Sequence, residues 1–471
     1  MLFNSFTFLL LVGITFAIYY TPLFRKWQVM ILIIASFTFY AANSPSLLLL
    51  LISSIFINIV ASYLIVHRTT SKKMVATVGV ILNLAILAFF KYSPLIGRTF
   101  FHEDNSIGEF LVMIPLPIGI SFFTFQGISL LVDTYKENQQ ENYQSLVPKL
   151  MTKHSVQTAL FISFFPQLVA GPIVKSKDFI PQIQDKFLNG IKWETCFKDI
   201  STGYFLKMVV ADNLKDYTYF ITYPYFETRS SINLLTMLFG YSMQIFADFA
   251  GYSLIAIGIA GLFGYSLRDN FAFPYISSTF SEFWNRWHIS LSSFLKEYLY
   301  IPLGGNRKGK FRTYLNLFIT MVLGGLWHGA AWSYAVWGIY HGLALAIERY
   351  VRQFIPLGKG IVSQIFNTIF VFSIVTFGWL LFKLPEFSEV IYFVKALGNN
   401  ISIPLYIRDF RDIAMIGIYS LPVILYHFYY LLKHRSKNLK LQNLEFVAYG
   451  LMIFLIITNS GSAKDFIYFQ F

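Results

Sequence analysis

The chain has 471 residues and a formal net charge of +13; 56% of its residues are hydrophobic, 19% aromatic and only 13% charged. A soluble core of this length cannot enclose so many apolar side chains, so the composition excludes a soluble globular protein and indicates an integral membrane protein. The positive charge is spread over short loops between apolar runs, where lysine and arginine set membrane topology, so it does not indicate a nucleic-acid-binding protein.

Apolar runs as long as a spanning helix recur from end to end of the chain and predict about ten to twelve crossings in an all-helical, polytopic protein. The early spans are expected near 4 to 20, 28 to 42, 45 to 66, 74 to 90 and 111 to 131. Later spans are expected near 361 to 383, 414 to 432 and 446 to 459. Because the runs cover the whole chain, residues 1–471 are predicted to form one membrane domain rather than a soluble domain with an anchor.

The loops between the spans alternate in charge. Basic residues follow the first span at Arg25–Lys26 and the third at Lys72–Lys73, and a further cluster lies at Arg307–Arg312. By the positive-inside rule these loops are cytoplasmic, which predicts extracytoplasmic N- and C-termini.

Two stretches do not show simple spanning hydropathy. Residues 166–207 are half apolar and interrupted by prolines, and residues 270–303 are aromatic but carry charges. Both patterns favour short interfacial or re-entrant helices buried in protein, since irregular backbone cannot face lipid. No internal repeat is detectable, which argues against the inverted-repeat plan of many transporters.

Residues 281–350 hold five of the eight tryptophans and three of the eight histidines. The most informative residue is His328, which stands in an apolar run between Gly324-Gly325 and Gly329. A histidine at membrane depth is costly, so it predicts a proton acceptor, a relay or a ligand. The alternative is an interhelical hydrogen bond without a chemical role.

A second histidine, His288, lies in a tryptophan-rich segment of the same stretch. On a continuous helix, Trp284 would lie one turn before His288 and Ser292 one turn after, so the three side chains would line one face of a pocket. An interfacial aromatic belt that happens to contain a histidine fits the sequence equally well.

Asp248 is the only charged residue between Ser231 and Ser266. At that depth the acid must be neutral, paired or in a wet cavity, so it is predicted to orient a histidine or a substrate group, or to make a structural hydrogen bond between helices. Lys207 and Asp212 are interpreted as interfacial charges whose side chains reach toward water.

The sequence shows no clear motif for binding a metal or a phosphate group. His328 and His341 would point to different sides if they lay on one helix, and the single cysteine, Cys196, leaves no thiolate cluster for a metal, so no metal site is predicted. A single cysteine also excludes an intramolecular disulfide. The loop Gly304–Gly309 lacks the spacing of a phosphate-binding loop. Its Arg307 and Lys308 are nevertheless candidates for attracting an anionic nucleotide of a cofactor, with a topology signal as the alternative.

Several motifs, in this order, resemble the membrane-bound O-acyltransferase family, and specifically its bacterial branch that includes alginate O-acetyltransferases. They are LPIGISFFTFQ at 116–126 with Asp133, FPQLVAGPI at 165–173, DFAGYS at 248–253, the segment from Trp284 through YIPLGGN at 300–306, LWHG at 326–329 and the ending FIYFQF at 466–471. Where many relatives have arginine in the segment before His288, this chain has Asn285.

The resemblance implies a helical funnel through the bacterial inner membrane, with His328 as the essential catalytic histidine and His288 as the second. It implies transfer of an acyl group from a cytoplasmic thioester, such as acetyl-CoA, to a hydroxyl of an extracytoplasmic polysaccharide or of an extracytoplasmic partner acetyltransferase. The side chains expected to line the substrate site are Trp284, Asn285, Trp287, Asp248, Trp327 and Trp332.

Three alternatives remain open from the sequence. D-alanyl transfer to teichoic acid is catalysed by similar enzymes. A transporter would use His328 and Asp248 to relay protons, and a scaffold for an export complex would use neither chemically.

Overall fold

A computed structural model of the chain describes residues 1–42, 45–68, 70–101, 105–137, 146–169, 171–355, 358, 360–435, 442–462 and 466. Helices are the only regular elements among these residues, and no strand occurs in them. The predicted all-helical fold class is therefore confirmed. Ala170 and residues 467–471, which belong to the resembling motifs, lie outside the described part.

The described residues divide into two compact units. Unit 1 comprises Met1–Ile200 and Ile255–Arg268, and unit 2 comprises Ser201–Leu254 and Asp269–Phe471. The single membrane domain expected from the sequence stays a prediction.

Unit 1 is built from long apolar helices followed by shorter ones. They are α1 (Phe6–Tyr20), α2 (Gln28–Ala41), α3 (Pro45–His67), α4 (Lys72–Phe100), α5 (Ser106–Met113), α6 (Ile120–Glu137), α7 (Met151–Ser163), α8 (Phe165–Leu168), α9 (Ser176–Phe179) and α10 (Trp193–Tyr204), whose last turn belongs to unit 2. The first three predicted spans agree with α1, α2 and α3.

The predicted span from 111 to 131 is wrong. Helix α5 ends at Met113, and α6 begins only at Ile120. Pro115 and Pro117 cannot donate the backbone hydrogen bonds of a helix, and Gly119 has a positive φ of 79°, so the chain turns between the two helices. Hydropathy alone does not register this break because the intervening residues are as apolar as the helices.

Unit 2 contains the remaining helices. They are α11 (Asp212–Thr218), α12 (Ser231–Leu262), which ends in unit 1, α13 (Phe280–Arg286), α14 (Ile289–Leu295), α15 (Lys310–His328), α16 (Trp332–Val351), α17 (Ile361–Lys383), α18 (Phe387–Asn399), α19 (Ile407–Arg435) and α20 (Gln442–Thr458). Two π-helical segments, Phe205–Ala211 and Lys296–Tyr300, precede α11 and follow α14.

Six helical segments of the described residues are long and apolar enough to cross a membrane. They are Pro22–Ala41, Pro45–His67, Lys72–Phe100, Ser231–Leu262, Ile361–Lys383 and Ile407–Leu432, and two shorter apolar helices are Phe6–Tyr20 and Glu445–Thr458. The chain is therefore a multi-pass membrane protein, as the composition predicts.

Helices α15 and α16 approach each other closely through glycines. A Cβ atom at Gly325 would lie 2.3 Å from the carbonyl oxygen of Tyr334, and one at Gly338 would lie 2.5 Å from the carbonyl oxygen of Met321. Small residues at such positions let helix backbones touch. The close contact fixes the C-terminal end of α15, where His328 is the last residue, against α16.

Candidate active site

The two histidines predicted to be catalytic lie together in unit 2. The ring centroids of His288 and His328 are 6.2 Å apart. Their exposed fractions are 0% and 4%, so both rings are buried. Residues that are forty positions apart in the sequence, on different helical elements, thus form one pair.

His288 does not lie on a continuous helix, contrary to the expectation that Trp284, His288 and Ser292 share one helical face. Helix α13 ends at Arg286, α14 begins at Ile289, and His288 between them has a left-handed φ of 46°. The physical reason is Asn270, whose backbone carbonyl accepts a hydrogen bond from the N–H of Ile289 at 2.9 Å and so replaces a helical partner. Because of this turn, the imidazole of His288 does not continue the face of α13 on which Trp284 lies.

The side chain of Asn270 also fixes the orientation of His288. Its Oδ1 accepts hydrogen bonds from His288 Nδ1 at 3.0 Å, from Ser290 N at 3.3 Å and from Ser290 Oγ at 2.9 Å. Its Nδ2 donates to Ser253 Oγ at 3.2 Å. Because the backbone N–H of Ser290 requires an acceptor, this atom of Asn270 is the oxygen, and His288 Nδ1 carries the proton. In the neutral ring, Nε2 is then the acceptor nitrogen.

The sequence pattern does not mark Asn270 as a functional residue. It lies in the irregular stretch before α13, outside every quoted motif, and only its partners reveal its role. Its hydrogen-bond partner Ser253, by contrast, is the last residue of the DFAGYS motif. That motif therefore contributes to the orientation of His288 through Asn270.

Aromatic rings surround the histidine pair. His328 contacts Trp337 at 5.1 Å, Trp327 at 5.2 Å and Phe382 at 5.4 Å between centroids. His288 contacts Phe249 at 4.6 Å and Trp327 at 6.1 Å. Trp327, which the sequence analysis placed in the substrate site, is thus near both histidines. Such a lining excludes water, which would otherwise compete for a reactive acyl group.

Asp248 is buried in an ion-pair cluster. Lys207 Nζ lies 2.8 Å from Asp248 Oδ1 and 2.6 Å from Asp212 Oδ1, and all three side chains are at most 6% exposed. The interpretation of Lys207 and Asp212 as charges that reach toward water is therefore wrong. The pair joins α12 to the π-helical segment Phe205–Ala211, and Phe249, the residue after Asp248, packs on His288.

The other predicted site residues are more dispersed. Trp284 contacts the rings of Trp337 at 5.6 Å and His341 at 5.2 Å, and Trp287 is buried against Trp379 at 4.7 Å. Trp332 is 52% exposed. Asn285, Arg307 and Lys308 are all exposed. Their roles in binding substrate or donor stay predictions.

His341, whose spacing from His328 does not predict a metal site, is completely buried on α16, whereas His328 ends α15. Within the described ranges, no group of three histidine, cysteine or acidic side chains is placed to hold a metal ion. The polar groups that the structure brings together around His288 include its own imidazole, the amide of Asn270 and the hydroxyls of Ser253 and Ser290.

Known proteins are similar to this chain over most of its length. Residues 15–384 match the family described as MBOAT, membrane-bound O-acyltransferase family. The chain is 37% identical over 397 residues to the peptidoglycan O-acetyltransferase of Helicobacter pylori; the aligned region covers 80% of this chain and 74% of that protein. It is 36% identical over 401 residues to a protein of Pseudomonas aeruginosa named probable alginate O-acetylase, covering 81% and 72%. It is 26% identical over 347 residues to the teichoic acid D-alanyltransferase of Bacillus subtilis, covering 70% and 83%.

Proposed function

The chain belongs to the membrane-bound O-acyltransferase family, and on that premise we propose that it moves an acetyl group from a cytoplasmic thioester to a hydroxyl of an extracytoplasmic polysaccharide, or to a partner transferase that passes it on. O-acyl transfer follows from the family. The acetyl group and the polysaccharide acceptor are supported by the names of the relatives that are 36% and 37% identical. The donor, the direction of transfer and the partner are our inference from the sequence pattern.

The observation that carries the proposal is the buried histidine pair. A separation of 6.2 Å between ring centroids is short enough for one substrate oxygen to hydrogen-bond to both rings. His328 acts as the general base: it accepts the proton of the acceptor hydroxyl while that oxygen attacks the thioester carbonyl. The new C–O bond forms, the C–S bond breaks, and His328 returns the proton to the leaving thiolate. Covalent transfer through the imidazole of His328 is the second route.

His288 is proposed to orient the acceptor. Its Nδ1 donates to Asn270, so its Nε2 is the lone-pair nitrogen and is suited to accept a hydrogen bond from a hydroxyl group of the acceptor. A neutral ring in this tautomer has no proton on Nε2 to offer to an oxyanion. We therefore favour hydroxyl orientation over oxyanion stabilisation for His288.

Arg307 and Lys308 are proposed to bind the phosphates of an acyl-CoA donor. Both side chains are exposed beside the glycine turn of Gly304 and Gly305. Cations at an exposed loop raise the local concentration of an anionic ligand. The expected signature of Arg307→Ala with Lys308→Ala is a higher KM for acetyl-CoA, with an unchanged KM for S-acetylpantetheine, which has no phosphate.

The test of the proposed function is transfer of labelled acetyl groups by purified wild type and His328→Ala. We expect the variant to lose at least about 100-fold in rate, because general base catalysis contributes about 10² to 10⁴. His154→Ala is the matched control, since His154 is also fully buried but lies in unit 1. Wild-type transfer by a folded His328→Ala protein would refute the assignment.

D-alanyl transfer to teichoic acid is the second candidate, favoured by the relative from Bacillus subtilis. The two functions differ in the donor. Wild-type protein is offered an acetyl thioester and a D-alanyl thioester of the same carrier at equal concentration. Preferential transfer of the D-alanyl group would contradict the proposed acetyl transfer, and preferential transfer of the acetyl group would exclude D-alanyl transfer.

A further inference from the structure

His341 lies at the centre of a second aromatic group in unit 2. Its imidazole is 0% exposed, and its centroid is 4.7 Å from that of Trp337, 5.2 Å from Trp284 and 5.3 Å from Tyr340. We call His341, Trp284 and Trp337 the His341 cluster. The proposed reaction gives the imidazole of this cluster no task.

The polar atoms of the cluster are unpaired. Neither ring nitrogen of His341 nor the indole N–H of Trp284 or Trp337 has a hydrogen-bond partner among the described residues, and all four atoms are buried. An unmatched buried donor or acceptor costs about 1–3 kcal/mol, and native proteins seldom leave one without a purpose. Four such atoms on three touching rings indicate a place for a polar ligand.

The types of these atoms define the ligand. An indole nitrogen can only donate a hydrogen bond, and a neutral imidazole offers one donor and one acceptor. The cluster thus provides three donors and one acceptor. A ligand that supplies carbonyl oxygens together with an N–H satisfies them, whereas an alkyl chain satisfies none and a charged group would be costly to bury among aromatic rings. Amide groups fit this requirement.

The cluster adjoins the transfer site. The indole of Trp337 contacts His341 at 4.7 Å and His328 at 5.1 Å, so one ring touches both imidazoles. Thioester donors built on pantetheine carry amides a few bonds from the sulfur. A donor whose thioester carbonyl is at His328 therefore has its amides close enough to reach the next ring.

An apolar groove lies beside Tyr340, a neighbour of the His341 cluster. The groove has a volume of about 690 Å³ and is lined by residues of α16 and α17, by three residues between these helices, and by Ser278 and Phe280. Tyr340 lines the groove, and its ring lies 5.3 Å from His341. Trp284 is itself only partly buried. The groove and the His341 cluster therefore share the ring of Tyr340 as a common neighbour.

Resting on the proposed function, we propose that His341, Trp284 and Trp337 bind the amides of the pantetheine arm of the acyl donor, so that the enzyme selects donors that carry this arm. These are positioning residues for the donor and take no part in proton transfer. Trp284 and Trp337 donate to the amide carbonyls, and His341 pairs with an amide N–H and a carbonyl oxygen.

The test compares two thioesters, S-acetylpantetheine and S-ethyl thioacetate, which lacks the arm. The readout is the ratio of their kcat/KM values for purified wild type, Trp284→Phe and His341→Leu. Loss of one hydrogen bond lowers the ratio by about 2- to 10-fold for Trp284→Phe, and loss of two lowers it by about 10-fold or more for His341→Leu. His341→Gln, which keeps a donor and an acceptor, recovers part of the ratio. Trp193→Phe, at a 52% exposed tryptophan of unit 1, keeps it unchanged.

Two results would overturn the proposal. One is an equal kcat/KM for both thioesters in the wild type. The other is a His341→Leu protein that slows both thioesters alike, since packing rather than recognition would then be its role. Equilibrium binding of pantetheine, followed by tryptophan fluorescence, separates this proposal from the proposed function. If the wild type binds pantetheine through His341 but transfers no acetyl group, the proposed function is wrong and the proposed binding role of the His341 cluster stands.

Discussion

Two completely buried histidines, one in each unit, differ in what surrounds their nitrogens. In unit 1, His154 Nε2 is hydrogen-bonded to Ser62 Oγ at 2.8 Å, and Nδ1 approaches Thr158 Oγ1 at 3.4 Å. In unit 2, neither nitrogen of His341 has a partner among the described residues. The two rings are therefore equally buried, but of the two only His154 has nitrogens that are hydrogen-bonded to described residues. An imidazole whose nitrogens are hydrogen-bonded stabilises the packing of helices, and the imidazole of His341 is the one that we propose to bind the donor.

The surroundings of His154 support the structural role. Asn58 on α3 and Asn83 on α4 exchange two side-chain hydrogen bonds of 3.1 Å, one turn of α3 away from Ser62. Polar side chains that bond across helices in this way connect α3, α4 and α7. Each bond adds of order 1 kcal/mol in a membrane protein.

The largest expected effect concerns a buried cluster of unit 2 whose pairing is ionic. Lys207→Met leaves Asp212 and Asp248 as buried carboxylates without their shared cation. We expect the free energy of unfolding to fall by about 3–5 kcal/mol, because removal of one partner leaves an uncompensated buried charge. Denaturant titration of the protein in detergent measures it.

Lys198→Met is the matched control for Lys207→Met. Lys198 pairs with Glu194 at 2.8 Å on an exposed face of α10, where an ion pair contributes at most about 1 kcal/mol. Equal losses for the two variants would contradict the buried role of Lys207.

The next effect tests whether the transfer site is held by close packing rather than by hydrogen bonds. Gly325→Ala places a methyl group 2.3 Å from the carbonyl oxygen of Tyr334, so α15 and α16 must separate. We expect a loss of about 1–3 kcal/mol in unfolding free energy together with reduced acyl transfer, since His328 moves with the end of α15. Gly13→Ala is the control, because no atom lies within 4 Å of its added Cβ.

The comparison of the two histidines is tested by making the same substitution in both. His154→Leu removes a ring whose nitrogens are hydrogen-bonded and leaves the buried hydroxyls of Ser62 and Thr158 without this partner. It should therefore lower the free energy of unfolding by about 1–3 kcal/mol without loss of acyl transfer. His341→Leu removes a ring whose nitrogens have no hydrogen-bond partner among the described residues, so it should be nearly neutral for stability. A loss of stability in His341→Leu as large as that in His154→Leu, or larger, would contradict the comparison, and calorimetry of both variants measures it.

The smallest effect is expected at the weaker of the two bonds of His154. Thr158→Val keeps the shape of the side chain and removes only the contact of 3.4 Å with Nδ1. We expect a change of about 0.5 kcal/mol in unfolding free energy, at the low end for a hydrogen bond. A change above that of His154→Leu would mean that Thr158 has another role.

Parts of the fold and site could be predicted from the sequence because they depend on local pattern. Apolar runs located α1, α2, α3 and α17 closely, and the cost of a polar residue in lipid singled out His328. The segment around His288 was also identified, although its assumed helical continuity was wrong. Periodicity could not reveal the break, since the cause is Asn270, a residue eighteen positions earlier.

The same limit explains Lys207 and Asp212. Each is a charged residue near an apolar run, and by itself such a residue is expected to reach toward water. Only the packing of α12 on the π-helical segment brings Asp248 within 2.8 Å of Lys207. The energy of an ion pair depends on this distance, which the sequence does not contain.

The sequence by itself determined that this chain is an all-helical membrane protein and an acyltransferase with His328 as its candidate centre, because composition, hydropathy and ordered motifs are properties of the chain alone. The tertiary structure decided which polar groups are satisfied. It gave His288 its tautomer through Asn270, gave Asp248 its cation, and left the nitrogens of His341 without a partner among the residues that the structure describes. Hydrogen bonds and ion pairs act over about 3 Å, so they are settled only when distant segments meet.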